Sequence, residues 1–218
     1  MTDNNVKNSQ YLHHISEQEI AQNFAQLEAL VEKLDESRRD KVKTMFEEMG
    51  VRLATAPASS RKSYHAAYIG GLVDHTLRVI KTALVLKKNF DVFKTLSTEN
   101  VIFAGIFHDL GKVGEPGPHG RDYYVKQDSD WHFNKLGELF KNNTELTYMT
   151  NVDRTMHILL HYGITANEDE YLAIRLNDGQ YDEANKRYAM KEPPLALLIH
   201  MADRIACETE KEIARQYD

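Results

Sequence analysis

Apolar positions recur at helical spacing along most of the chain, and few stretches alternate as strands do. Ile20, Phe24, Leu27, Leu30, Val31 and Leu34 fall on one stripe, and Val42, Met45, Phe46 and Met49 form another beyond the charged run from Asp35 to Lys41. This predicts two amphipathic helices between Ile15 and Gly50, with Gly50 as a C-cap. A loop over 55–60 leads to Tyr64-His65, and helical spacing resumes from Leu72 to Leu86 after the Gly70-Gly71 pair. Ser97 reads as the N-cap of an apolar helix from about 98 to 110, closed by Gly111 and Gly114. Residues 113–131, rich in Gly, Pro, Asp and aromatics, predict a loop with a small hairpin near 121–131, before Trp131. Further helices are expected over about 132–142, 151–162, 167–175 and 194–213, while the polar residues 1–14 are expected to fray. The fold class is therefore all-α: an N-terminal helical extension over 1–54, then a helical bundle over 55–213.

Composition narrows the function classes. Of 218 residues, 42% are hydrophobic and 28% charged, as in an ordinary globular chain. The formal net charge is −6 and no basic stripe is visible, so stable duplex DNA binding is not expected. A nucleotide substrate is still compatible, because a divalent metal can supply the positive charge that phosphate needs. One cysteine, Cys207, excludes an intramolecular disulfide and a thiolate zinc cluster. The start of the chain lacks a signal-peptide layout and no apolar run is long enough to span a bilayer, so a cytoplasmic location without membrane contact is expected.

The ten histidines carry most of the chemical signal. His108-Asp109 lies at the end of the run Val101-Ile102-Phe103-Ala104-Gly105-Ile106, where an unpartnered carboxylate would be costly. A divalent cation resolves that cost, since imidazole nitrogen and carboxylate oxygen both ligate it. Taken alone, the dipeptide reads equally well as a hydrogen-bonded pair or a helix end facing water. His75 and Asp203, however, also arise from otherwise apolar helical stretches, and helical bundles build metal sites from such inward-facing side chains.

The order His75, His108-Asp109, Asp203 resembles the signature of the HD-domain metal-dependent phosphohydrolases. Tyr64-His65-Ala66-Ala67-Tyr68-Ile69-Gly70-Gly71-Leu72-Val73-Asp74-His75-Thr76-Leu77 is similar to the first-histidine segment of the HD domains of certain 3'-to-5' exoribonucleases. His108-Asp109-Leu110-Gly111-Lys112 resembles the HDxGK form that those enzymes share with HD-GYP cyclic-dinucleotide phosphodiesterases. The resemblance spans roughly 55–210 and implies His75, His108, Asp109 and Asp203 as metal ligands. In its dinuclear branch it implies two further ligands, His132 and His161, and a divalent transition metal at two ions per chain. Manganese or iron is favoured there, with Mg, Co, Ni or Zn compatible with the same donors. The chain departs from the pattern at His161-Tyr162, where the family often has a His-His pair.

The implied activity is hydrolysis of a phosphomonoester or phosphodiester in a nucleotide-like substrate by metal-activated hydroxide, a metal lowering the pKa of bound water from about 15.7 to near 7. Asp109 would bridge the ions and act catalytically with Lys112, a phosphate donor or transition-state stabiliser. His157, Arg175 and Tyr181 are candidate substrate contacts beside Lys112; Arg121, Tyr123, Tyr124 and Trp131 form another candidate wall. His200 reads as a buried histidine bonded to backbone. Expected partners are a small nucleotide or a short oligonucleotide, and the N-terminal helices offer a surface for a homo-oligomer. The alternatives are a non-catalytic nucleotide-binding HD module and an HD-type di-iron oxygenase.

Overall fold

The computed structural model describes residues 15–215; the N-terminal stretch expected to fray lies outside them. Within that span the chain forms α1 (Glu17–Val31), α2 (Glu36–Thr55), α3 (Gly71–Asn89), α4 (Thr98–Phe107), β1 (Tyr124–Lys126), α5 (Asp130–Leu136), β2 (Phe140–Asn142), α6 (Asn151–His161), α7 (Glu168–Arg175) and α8 (Pro194–Arg215). It is an all-α bundle with one small antiparallel pair, Tyr124 opposite Asn142 and Lys126 opposite Phe140.

Local signals set most boundaries. Ser16 and Glu19 form a reciprocal capping box at α1, and Ser97 accepts from the Asn100 N–H at α4. Asp35 accepts from the Ser37 and Arg38 N–H groups, so the charged run after Leu34 opens α2.

Three expectations are corrected. Gly50 does not cap α2, which continues to Thr55. A β-carbon at Gly50 would lie 3.3 Å from Cζ of Phe24, so this glycine makes room for the α1 ring inside a continuing helix. The hairpin also does not close before Trp131. Its strands bracket the short α5, and the helix expected over 132–142 ends at Leu136 because Gly137 adopts a left-handed conformation (φ 63°) and turns the chain into β2.

α3 is the central element, packing on α8, α4, α1 and α2. One side contributes Leu72, Val73 and Ile80 to a core shared with α1, α2 and α6; the other contributes Val79, Ala83 and Leu86 to a core shared with α7 and α8. α4 serves both cores, with Phe103 and Phe107 on one side and Val101 and Ala104 on the other, which explains why it is apolar around its whole circumference.

A buried ionic cluster ties the helices across the first core. The Arg38 guanidinium donates to both Glu170 oxygens at 2.8 and 2.9 Å, contacts Asp35 and Glu99, and lies 4.5 Å from the Phe103 ring centre. Glu170 is fully buried and also closes the capping box of α7. Arg38→Met would strand this carboxylate in the core, and we expect a loss of about 3–5 kcal/mol in urea unfolding. A loss below about 1 kcal/mol would show that Glu170 finds other partners.

Candidate metal centre

Two helices and one helix end deliver the central side chains. His75 projects from the first turns of α3, His108 and Asp109 follow α4, and Asp203 lies midway along α8. The Nε2 atoms of His75 and His108 are 3.3 Å apart, and Asp203 Oδ1 is 3.1 Å from His75 Nε2. Asp109 Oδ2 lies 3.8 Å from His75 Nε2 and 3.7 Å from His108 Nε2. Both histidines are fully buried.

Hydrogen bonds on the far side of each ring fix what faces the centre. His108 Nδ1 donates to the Gly105 carbonyl at 2.8 Å, and His75 Nδ1 donates to the Glu210 carboxylate at 3.0 and 3.2 Å. In the neutral rings both Nε2 atoms therefore present lone pairs to each other and to two carboxylates. Four electron-donating atoms then converge with no proton among them, which only a positive charge makes favourable. A proton is one solution. Burial opposes the His75 charge, but the Glu210 and Asp203 carboxylates outweigh it and push its pKa up to about 10. A divalent cation is the other, and this N₂O₂ donor set suits it; a carboxylate behind a ligating histidine is the usual orienting partner in such sites.

The carboxylates are held ionised. Burial disfavours the Asp109 anion, but Lys112, His108 and His75 overcome it and hold its pKa well below the usual carboxylate range. Burial opposes the Asp203 anion as well, and the His75 hydrogen bond and charge reverse that effect. Lys112 Nζ donates to Asp109 Oδ2 at 2.5 Å, and Asn151 Nδ2 donates to Asp109 Oδ1 at 2.7 Å. The close approach of α6 that places Asn151 there requires Gly111: a β-carbon at that position would sit 2.1 Å from the Asn151 carbonyl oxygen. The Gly111 N–H also donates to Thr155 Oγ1 at 2.8 Å, fastening the His-Asp segment to α6.

The other predicted ligands, His132 and His161, are not among the donor atoms that cluster here. His132 is exposed on α5, its Nδ1 bonded to Ser129 Oγ at 2.8 Å and its ring edge-on to Trp131. His161 is exposed at the end of α6 against Tyr162, and His157 is exposed one turn earlier. Arg175 is committed to Asn185 Oδ1 at 2.6 Å and to Asp182 at 3.7 Å, while the Tyr181 side chain is 98% exposed. Trp131 is exposed on α5, and Arg121 pairs with Glu115; Tyr123 and Tyr124 lie near Lys112 and Asp109. His200 Nδ1 donates to the Asn177 carbonyl at 2.7 Å.

Around the centre, Asn151, Glu210 and Asn177 were not singled out from the sequence. Asn151 and Glu210 hold Asp109 and His75, and Asn177 donates from Nδ2 to the His108 carbonyl at 3.1 Å. His65 packs its ring 4.8 Å from that of His75, leaving its buried Nε2 without a partner. Cys207 Sγ lies 3.4 Å from Asp203 Oδ1. A signal for part of this set existed: Asp203, Cys207 and Glu210 follow at i, i+4 and i+7, one face of one helix.

The family model of the HD domain matches residues 72–207, and the chain belongs to that family, a superfamily of metal-dependent phosphohydrolase type. The matched span contains His75, His108-Asp109 and Asp203, all of the central donors. No curated protein and no solved structure matches the chain. Among the described residues no helix is long and apolar enough to cross a membrane.

Two expectations follow. Glu210→Gln keeps the shape of the side chain but removes the charge behind His75, and we expect Mn²⁺ affinity to fall about 10- to 100-fold in calorimetry with the helical content unchanged. An unchanged dissociation constant would remove Glu210 from any orienting role. The second concerns pH. The His75 pKa is raised from 6.5 to about 10 in the folded metal-free protein. Its contribution to stability is complete below the unfolded-state value and is lost as pH rises towards the folded one. The metal-free melting temperature should therefore fall between pH 7 and 9.5. The added stabilisation by a divalent metal should grow over the same interval, because the ion displaces that proton. Parallel behaviour of the two forms would contradict this exchange.

Proposed function

We propose that the chain is a metal-dependent hydrolase of phosphate esters acting on a nucleotide-like substrate. The observation that carries this reading is the convergence of His75 Nε2, His108 Nε2 and the Asp109 and Asp203 carboxylates on one small volume, with Lys112 beside it. A divalent ion bound there supplies Lewis acidity and a water of lowered pKa, the two things a phosphate ester needs to be cleaved at neutral pH.

The chain's own groups divide the remaining work. His75, His108 and Asp203 hold the ion, and Asp109, pinned by Lys112 and Asn151, presents its oxygens to the same volume in one orientation. Lys112 is buried, and burial opposes its charge, yet Asp109 keeps its pKa raised, so an ammonium group remains available to a phosphoryl oxygen at neutral pH. Burial, and then the charges of Asp109 and Asp203, raise the pKa of Asp178 in the turn after α7. The donors that cluster here support a reading with one ion at His75, His108 and Asp203, and His132 and His161 are exposed outside that cluster.

The test is elemental analysis of the purified protein together with phosphate or nucleotide release from bis-p-nitrophenyl phosphate, nucleoside triphosphates, cyclic dinucleotides and short oligonucleotides with added Mn²⁺. We expect about one ion per chain and metal-dependent turnover that falls at least about a thousandfold in Asp109→Ala. Bound metal without turnover on any substrate would favour the non-catalytic binding module. Turnover that needs ferrous iron and oxygen would favour the oxygenase.

A further inference from the structure

Cys207 and Asp203 lie one turn apart on the same face of α8, and the Cys207 Sγ is 3.4 Å from Asp203 Oδ1. The same carboxylate oxygen is 3.1 Å from His75 Nε2. In a tetrahedral zinc site, with bonds of about 2.0 Å to nitrogen or oxygen and about 2.3 Å to sulfur, ligand atoms stand about 3.3 to 3.6 Å apart. Two edges of such a tetrahedron are therefore nearly formed before any ion arrives. His65 supplies a fourth corner from the loop before α3. Ligand atoms of His65, His75 and Cys207 lie within 4.8 Å of one another, and His65 Nε2 is buried with no hydrogen-bond partner. An unsatisfied buried polar atom costs about 1–3 kcal/mol, which a ligated ion would remove. The backbone also holds this ring in place against its own preference. Ala66 adopts a left-handed conformation (φ 42°), uncommon for a residue with a side chain. The Ala66 carbonyl accepts from the Ala58 and Tyr68 N–H groups at 3.1 and 3.0 Å, and Ser59 Oγ donates to the His65 carbonyl at 2.5 Å.

We propose that His65, His75, Asp203 and Cys207 form a second metal position, selective for zinc over manganese, that competes with the position at His75, His108, Asp109 and Asp203. One thiolate makes no cysteine cluster, but it is a soft ligand that zinc accepts and manganese disfavours, so Cys207 sets the preference. As the Zn–S bond forms, the thiol proton leaves to solvent, because a coordinated thiol is deprotonated by the ion itself. The two positions cannot be filled together. His75 Nδ1 is engaged by Glu210, and the single lone pair on Nε2 can serve one ion only. Zinc at the thiolate position thus withdraws His75 from the proposed hydrolytic ion, and the centre becomes one that zinc inhibits. Only this last consequence rests on the hydrolase reading; the position itself rests on the four side chains.

The test titrates the full chain with Co²⁺, a coloured substitute for zinc, and with Zn²⁺ and Mn²⁺ by calorimetry. We expect a sulfur-to-cobalt charge-transfer band in the near ultraviolet that saturates at about one ion per chain and is lost in Cys207→Ser. Zn²⁺ affinity should fall at least about tenfold in Cys207→Ser and in His65→Phe, which keeps a ring but no nitrogen, while Mn²⁺ affinity stays within about twofold. His108→Ala should do the opposite, weakening Mn²⁺ and keeping the thiolate band. Zn²⁺ added to the Mn²⁺-loaded chain should release free Mn²⁺, read by electron paramagnetic resonance. Each variant is first shown to be folded by circular dichroism, and either of the Cys207 and His65 variants alone carries the test. Absence of the thiolate band, unchanged Zn²⁺ affinity in a folded variant, or Zn²⁺ and Mn²⁺ bound at once overturns the proposal. The two readings fail separately. Manganese-dependent turnover without a thiolate band keeps the hydrolase and removes the zinc position; the band without turnover on any substrate does the reverse.

Discussion

Two imidazole lone pairs and two carboxylates point at one another in the middle of an apolar helical bundle, and the surrounding structure is organised around making that tolerable. Such a group is unstable without a positive charge, so the fold has to supply or admit one. Each donor is held from behind: His75 by Glu210, His108 by the Gly105 carbonyl, and Asp109 by Lys112 and Asn151. The Arg78 guanidinium extends this outward, donating to Glu210 at 3.0 Å and to Asp74 at 3.2 Å. The layers alternate in charge from the centre to the surface, so the Glu210 carboxylate is paired on both sides, with His75 inside and Arg78 outside.

Rigidity follows from the same arrangement. The central helix α3 buries both of its sides, and α4 is enclosed completely, so the ligand-bearing turns rest on close-packed cores. Gly111 lets α6 approach the His-Asp segment, and the Thr155 hydroxyl holds it there. On the opposite side, Asn177 grips the His108 carbonyl while His200 fixes the Asn177 carbonyl. Backbone on both sides of Asp109 is thereby pinned by side chains from α6 and from the turn after α7. The proposed metal-dependent hydrolysis would need little reorganisation of these groups, the condition under which fixed charges contribute most to catalysis.

The ionic cluster around Arg38 plays a separate part. It joins α2, α4 and α7 at the far end of the core, where Glu170 is buried and must be paired. The two N-terminal helices share their apolar residues with α3, α4 and α6 in one core, so α1 and α2 support the helices that carry His75 and His108.

The sequence by itself determined the helical class, nearly all helix positions and the side chains that converge at the centre. Those features are encoded locally, in apolar spacing at 3.6 residues, in cap residues such as Ser97, and in His75, His108-Asp109 and Asp203 as ligand types emerging from apolar stretches. It misjudged what depends on contacts between distant segments. Gly50 carries the same local signal as a C-cap, yet its role is set by the Phe24 ring across the α1–α2 interface. His132 and His161 carry the same side chain as His75, and whether an imidazole meets the others is a matter of helix phase and local hydrogen bonds. His132 bonds Ser129 from an exposed position on α5, and His161 is exposed on the last turn of α6. Glu210, Asn151 and Asn177 gain their meaning only from the residues they touch, 135, 42 and 69 positions away along the chain. Local propensity fixes where a side chain leaves its helix; which other side chains it meets is fixed by packing, and the charge balance of the centre is a property of that meeting.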